Sequence, residues 1–366
     1  VTLPAFVDFE TRSRADLKKI GGRRYAEHPS TRVVCGVYRR PLDGEWLTQE
    51  WIPGDPPPWF APGPCVAHNA MTFDRHMWRK LGWPEPERWI DTAELARVAG
   101  YSSAKLEWLA ENLLGAEKDM QGNALTRALS KPKQYYGAAL AERLEESKAA
   151  WKAERAARGG KERLPTARLE ASLVAELDAA CEAPAPIPAE TLAKVVAYCR
   201  LDVELMAALF DGFLGQWLDS DLPGLEAADR ALNDRGICFD RDLARLLVDV
   251  SEAMGAQALE RAGVSAEVVN SPAQLRGALA ALGVSIDNAQ ADTLEALLKG
   301  PALLEQARLI IEARQATASI AAGKLKAGLA RCSPDGRLRD NRTPYGAHTG
   351  RWAGKGMQLD NLSKGL

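Results

Sequence analysis

The strand-like runs of this chain crowd into its first third, and the remainder is patterned almost wholly as helix, so one sheet cannot organise the whole molecule. PAFVDFE (4–10), TRVVCGVYR (31–39) and PCVAHN (64–69) are short and rich in Val and aromatic residues, and helical stretches separate them to about residue 120. That alternation predicts an α/β unit. Asn69 and Asp91 are N-cap candidates for its first helices. A helix after Ser102 or Ser103 carries Leu106, Leu109 and Leu113 on one face and stops at Gly115. Beyond Leu222 and Pro223, helices continue to about residue 330 as a second, all-α domain. Within it, NSPAQLRGALAALG (270–283) places Ser271 at the N-cap, Pro272 at N1, Gln274 to close a capping box and Gly283 as the stop. From Ser333 onward, Pro, Gly and Arg predict loops and a small sheet.

Residues 135–182 break this pattern. Eight acidic and eight basic side chains lie between Glu142 and Asp178, with pairs such as Glu154 and Arg158 at i, i+4. The charges cancel, so a solvated helical hairpin is expected rather than an arm for nucleic acid. APAPIP (183–188) then breaks the chain before a long helix from 189 to about 213.

Composition removes several function classes. No apolar run approaches the roughly 20 residues needed to span a bilayer, so no membrane role is expected. VTLPAFVDFE has neither a basic start nor a long apolar segment, which makes a cytoplasmic location the expectation. The six cysteines form no CxxC and only four histidines accompany them, which argues against zinc. Net charge is −2, so a nucleic-acid partner would need local basic patches. One such patch is residues 331–366, with seven Lys or Arg against three Asp.

In FVDFET, Asp8 and Glu10 point to one face of a strand, while Phe6, Val7 and Phe9 serve the core around them. Two adjacent carboxylates repel unless positive charge lies between them, and a divalent ion supplies it. Alone, D-x-E is more often an exposed strand edge. In YCRLD, however, Tyr198 and Asp202 stand i, i+4 on the helix after the Pro-rich break. In HNAMTFDRHMW, Asp74 falls early in a helix, where it also suits the helix dipole. Each element can converge on one sheet edge. An all-oxygen set suits Mg²⁺ or Mn²⁺. Two such ions about 3.5 to 4 Å apart clamp the attacking and leaving oxygens of an in-line displacement at phosphorus. The expected chemistry is metal-assisted phosphodiester hydrolysis.

This set of Asp8, Glu10, Asp74, Tyr198 and Asp202 resembles that of the DEDD-type proofreading 3′–5′ exonucleases, in the subtype with Tyr in the third motif. The resemblance implies an α/β ribonuclease H-like fold with a mixed sheet flanked by helices. It implies that Asp8, Glu10 and Asp202 hold the ion that activates water, that Asp8 and Asp74 bear on a second ion, and that Tyr198 orients the water. Thr11 would line the 3′-terminal nucleotide and Asn69 the substrate side of the second motif. The Asn69-to-Asp74 interval is one residue longer than the usual N-x-x-x-D.

ALNDRGICFDRDL (231–243), the 270–283 helix and KLKAGLARCSPDGRLRDNRTPYGAHTGRWAGKGMQLDNL (324–362) resemble the family A, DNA polymerase I-like polymerases in their phage-type form. That resemblance implies an exonuclease domain at 1–215, including the charged insertion and linker at 135–188. A helical thumb at 223–330 and the start of a palm at 331–366 would come next. Arg351 matches an Arg that reaches the minor groove, and Gln358, Asp360 and Asn361 fall at positions that contact template and primer. Asp360 stands where Gln is frequent, and Ser363 where Pro is frequent. Glycines beside Arg351 allow close approach to a groove, and minor-groove contacts are largely independent of sequence.

The partners implied are a single-stranded DNA 3′ end and primer-template duplex, in the host cytoplasm for a phage protein. In that family the palm carboxylates lie downstream of the x-L-x-N turn, and four residues come after Leu362. The chain as given is therefore expected not to polymerise alone, whether as a fragment or as one part of a polymerase whose palm is a separate chain. Two other readings compete. An RNA-processing exonuclease could use the same carboxylates, but the helical region and the tail argue against it. A non-catalytic DNA-binding or assembly subunit is disfavoured because all five motif residues are present.

Overall fold

The computed structural model describes residues 3–60, 62–160, 163–218, 222–300, 303–318, 320–347 and 349–359. They divide into two compact units, Val1–Gly236 with Arg339–Lys355, and Ile237–Leu338 with Gly356–Leu366.

A five-stranded mixed sheet organises the first unit. Its strands are β1 (Ala5–Arg12), β2 (Arg32–Leu42), β3 (Glu45–Trp51), β4 (Pro64–Ala67) and β5 (Arg88–Asp91), in the order β3-β2-β1-β4-β5. The β1–β2 and β2–β3 pairs are antiparallel, whereas β1, β4 and β5 run parallel. The three strands expected from the sequence are all present, and β3 and β5 join them. β2 turns into β3 through Asp43 and Gly44, whose φ of 50° and 87° suit the tight turn favoured in hairpins.

The unit's helices are α1 (Leu17–Glu27), α2 (Asp74–Lys80), α3 (Thr92–Val98), α4 (Leu106–Leu109), α5 (Met120–Leu129), α6 (Pro132–Tyr136), α7 (Ala138–Ala157), α8 (Thr166–Ala179), α9 (Ala189–Leu209) and α10 (Leu222–Arg235). The two-residue period of β1 sorts them into layers. Phe6 joins a core with Val195, Cys199, Val203 and Met206 of α9, whereas Val7 and Phe9 join another with Tyr25 of α1 and Met77 and Trp78 of α2. Asp8 and Glu10 therefore continue the face of Phe6, beneath α9. The long α9 begins directly after Pro188, as expected.

The charged segment is a helical pair, α7 and α8, packed through Leu140, Leu173, Val174 and Leu177 with Tyr135 and Tyr136 of α6. The expected Glu154 and Arg158 side-chain pair takes another form. Arg158 Nε donates to the Glu154 carbonyl at 3.4 Å.

The second unit contains α11 (Arg241–Ala262), α12 (Ala266–Asn270), α13 (Pro272–Ala280), α14 (Ala291–Lys299), α15 (Glu305–Thr317) and α16 (Ile320–Arg331). A two-stranded sheet of β6 (Ile237–Cys238) and β7 (Arg337–Leu338) joins them. Val269, Leu275, Leu279, Leu294, Ile310 and Ile311 form its core. Ser271 Oγ accepts the Gln274 N–H at 3.4 Å, but the Ser271 N–H is committed to the Glu267 carbonyl at 3.1 Å, so the capping box is half formed. Gly283 ends the segment at a φ of 74°. Helix α10, continuous in pattern with the helices after it, groups instead with the first unit. The chain returns to that unit at 339–355, which carries β8 (Arg342–Thr343) paired with β9 (Ala353–Gly354). No described helix is long and apolar enough to cross a membrane.

Candidate active site

Asp8 and Glu10 on β1 and Asp202 on α9 come together, with one carboxylate oxygen of each within 4.8 Å of the others. Alternation on β1 supplies the first two. The third arrives because Cys199, one turn before Asp202, donates its Sγ–H to the Asp8 carbonyl at 3.3 Å and fixes α9 against the strand. Tyr198, i−4 from Asp202, is buried beside the cluster. Asp74 lies outside the 4.8 Å set but close enough that its charge and that of Asp8 act on each other.

Burial makes these charges expensive. Desolvation, then the Asp202 charge, pushes Asp8 up to about 7. Desolvation followed by the Asp8 charge holds Glu10 and Asp74 well above the ordinary carboxyl range. Asp202 is raised by burial, against the pull of Lys118. The Tyr198 hydroxyl is raised by burial and then by Asp202, so it keeps its proton. Asp8 Oδ2, Asp202 Oδ1 and both oxygens of Asp74 are buried without a hydrogen-bond partner. Such groups are rare in folded proteins, and an all-carboxylate set with orphaned oxygens fits hard divalent cations.

The chain between Asn69 and Asp74 forms a turn rather than a helix start. Asn69 caps no helix, because α2 begins at Asp74 after Phe73. Instead Asn69 adopts a φ of 69°, a conformation Asn tolerates, and its carbonyl accepts the N–H groups of Thr72 at 3.0 Å and Phe73 at 2.9 Å. The buried Asp91 does cap α3, as expected. It also holds the turn, accepting from Asn69 N–H at 3.1 Å through Oδ1 and from Met71 N–H at 3.2 Å through Oδ2. The Asn69 side chain is left exposed. α1 presses on the same turn, since a Cβ on Gly22 would lie 1.6 Å from the Thr72 carbonyl oxygen. Thr11 comes just after a register shift in β1, and its Oγ1 lies 3.0 Å from the Tyr25 hydroxyl.

Two participants escape sequence reasoning. Lys118 Nζ lies 2.7 Å from Asp202 Oδ2 and 5.2 Å from the centre of the Tyr198 ring. Gly122 seats that ring, because a Cβ there would fall 2.5 Å from Tyr198 Cδ2. Asp119 N-caps α5 by accepting from Gln121 and Gly122, which fixes both residues together. The only local signal is Asp119 ahead of a helix, and it says nothing of a carboxylate some eighty positions away.

Of the expected DNA-contacting residues, Arg351 is exposed in the first unit, between β8 and β9 and next to Gly350 with its φ of 73°. Gln358 is exposed in the second, while Asn361 and Asp360 lie outside the described residues. The basic patch is not a solvated strip throughout. Arg339 Nε donates to the Asp234 carbonyl at 2.7 Å, and burial, then Arg97, lowers the Lys355 ammonium, which lies near Asp91, Asp340 and Asp229. His76 of α2 faces Asp340 at 3.5 Å, and Arg97 Nε donates to the Pro344 carbonyl at 3.1 Å.

No protein-family model matches the chain. In sequence it is 32% identical, over 179 residues, to the DNA polymerase of Bacillus phage SP02, an alignment covering 46% of this chain and 26% of that one. In structure it resembles the POL domain of Pol1 from M. smegmatis, solved in complex with DNA primer-template and dNTP. The TM-score is 0.50 at 18% identity, over 98% of this chain and 53% of the other. The chain thus matches about a quarter of the phage polymerase and about half of the mycobacterial chain. It is related in sequence to a DNA polymerase and shares the general fold of a polymerase domain.

Proposed function

We propose that this chain is the 3′–5′ exonuclease and thumb portion of a family A DNA polymerase, with a ribonuclease H-like first domain, removing nucleotides from a DNA 3′ end. The observation that carries the reading is the convergence of Asp8, Glu10 and Asp202 within 4.8 Å, with Asp74 and Tyr198 beside them and orphaned oxygens among them. Asp8, Glu10 and Asp202 would hold one divalent ion, and Asp8 with Asp74 would bear on a second, Mg²⁺ or Mn²⁺. When bound, such ions supply charge stabilisation for the attacking and leaving oxygens at phosphorus.

The chain's own residues do the rest. Tyr198 keeps its hydroxyl proton and presents it beside Asp202, where a hydrogen bond orients an attacking water. β1 and β4 are parallel, so Thr11 near the end of one and Asn69 just past the other lie toward the same, carboxyl end of the sheet's strands, where a terminal nucleotide can be gripped. The exposed Arg351 and Gln358, with Asn361 in the sequence, serve primer-template duplex in the polymerase context. The relationship to a DNA polymerase favours DNA over RNA as substrate.

Matched single-stranded DNA and RNA oligonucleotides digested side by side in Mg²⁺ test that choice. DNA is expected to shorten at least about tenfold faster. Equal or faster loss of RNA would transfer the reading to an RNA-processing exonuclease.

A further inference from the structure

The half-buried Asp8 and Glu10 and the buried Asp202 share one small volume, and among the described residues Lys118 is the cation that forms an ion pair there. It places Nζ 2.7 Å from Asp202 Oδ2 with its side chain 12% exposed, leaving Asp202 Oδ1 buried and without a partner. The ammonium also lies 5.2 Å from the centre of the Tyr198 ring, within cation–π range. Its place is built rather than accidental. The segment 115–119 runs from Gly115, whose φ of 64° ends the preceding helical turn, to Asp119, whose carboxylate caps α5. Gly122 then brings α5 against the Tyr198 ring.

We propose that Lys118 is the internal counter-ion of this site and a positioning residue for Asp202 and Tyr198. It holds the carboxylates together while no divalent ion is bound, and its charge lowers their affinity for that ion. The effect is electrostatic. Asp8, Glu10 and Asp202 carry three negative charges when ionised, and one ammonium among them leaves two, so an incoming cation meets a weaker field than the carboxylates alone would give. The commitment of Oδ2 to Lys118 also leaves Oδ1 as the oxygen of Asp202 offered to an ion. This inference rests on the metal-binding reading of the cluster.

The test is calorimetric titration of the full chain with Mn²⁺ alone, together with thermal melting in chelator. Lys118→Met is expected to bind Mn²⁺ about tenfold more tightly than the native chain and to melt several degrees lower without metal. Lys118→Arg, which keeps the cation, is expected to restore both values towards native. Should Lys118→Met fold only with Mn²⁺ present, the counter-ion role is supported in its strongest form. Should it fold poorly with or without the ion, Lys118→Gln is measured in its place. Unchanged or weaker Mn²⁺ binding in a folded variant overturns the proposal, as does failure of both variants to fold even with Mn²⁺. A native chain that binds no Mn²⁺ instead overturns the metal reading beneath it. If native binding is lost in Asp8→Asn but unmoved in Lys118→Met, the metal reading stands and only the role of Lys118 falls.

Discussion

Replacing Asp8 with Ala is expected to lower Mg²⁺-dependent digestion of single-stranded DNA by at least about a thousandfold while the protein stays folded. Asp8 is the shared member of the site. It belongs to the 4.8 Å cluster with Glu10 and Asp202, and its charge also raises Asp74. On the proposed reading, Asp8 is the ligand that the two ions would have in common. The fold should survive because Asp8 is a burden to it, a desolvated carboxylate with Oδ2 unpartnered and Asp202 as a like-charged neighbour. Single-turnover rates on an end-labelled oligonucleotide measure the loss, and a melting curve in chelator at pH 8 measures the fold. A rate within tenfold of native would remove Asp8 from the machinery. A collapsed melting transition would mean that its role is structural.

A second large effect links metal, proton and stability. The folded chain holds Asp8 at about 7, with Glu10 and Asp74 also well above the ordinary carboxyl range. Because the folded values exceed those of the unfolded chain, the folded state binds more protons above about pH 4. The site's contribution to stability is therefore fully present below pH 4 and is lost as pH rises through about 7. In chelator, the melting temperature should fall between pH 5 and pH 8. Saturating Mg²⁺ should raise it far more at pH 8 than at pH 5, because the ion binds the ionised carboxylates. The groups facing Asp8 include Glu10, Asp74 and Asp202, which share its negative charge, and Lys118 and the Cys199 thiol, which ease it. Glu94, held at about 9, and Asp229, at about 6, lie in other surroundings and add a slope of the same sign. Asp8→Asn isolates the site, and it should flatten the slope and shrink the Mg²⁺ effect at pH 8. A native profile that rises from pH 5 to pH 8 in chelator would contradict this account.

The features legible in the sequence are those that local chemistry settles. Period-2 alternation at Phe6 to Glu10 is enough to place two carboxylates on one face, and i, i+4 spacing places Tyr198 beside Asp202. The caps at Asp91 and Ser271 and the stops at Gly115 and Gly283 are local too. β3 escapes because EWLTQEW carries four polar residues and lies half-buried at a sheet edge, and β5 because Arg88 and Asp91 bracket only two apolar residues. Asn69 has the residue type of a cap, but Asp91, twenty-two residues later, holds its N–H and turns it into the start of a left-handed bend. Lys118 and Gly122 carry no period at all. Their meaning depends on α9 returning across the sheet, a tertiary fact without a local signature.

The most direct measurement tracks a 5′-labelled single-stranded DNA through digestion by the native chain and by Asp74→Ala, each with Mg²⁺ and with chelator. A ladder that shortens from the 3′ end is predicted only for the native chain with Mg²⁺. A ladder undiminished in Asp74→Ala, or one that persists in chelator, would contradict the two-metal exonuclease reading.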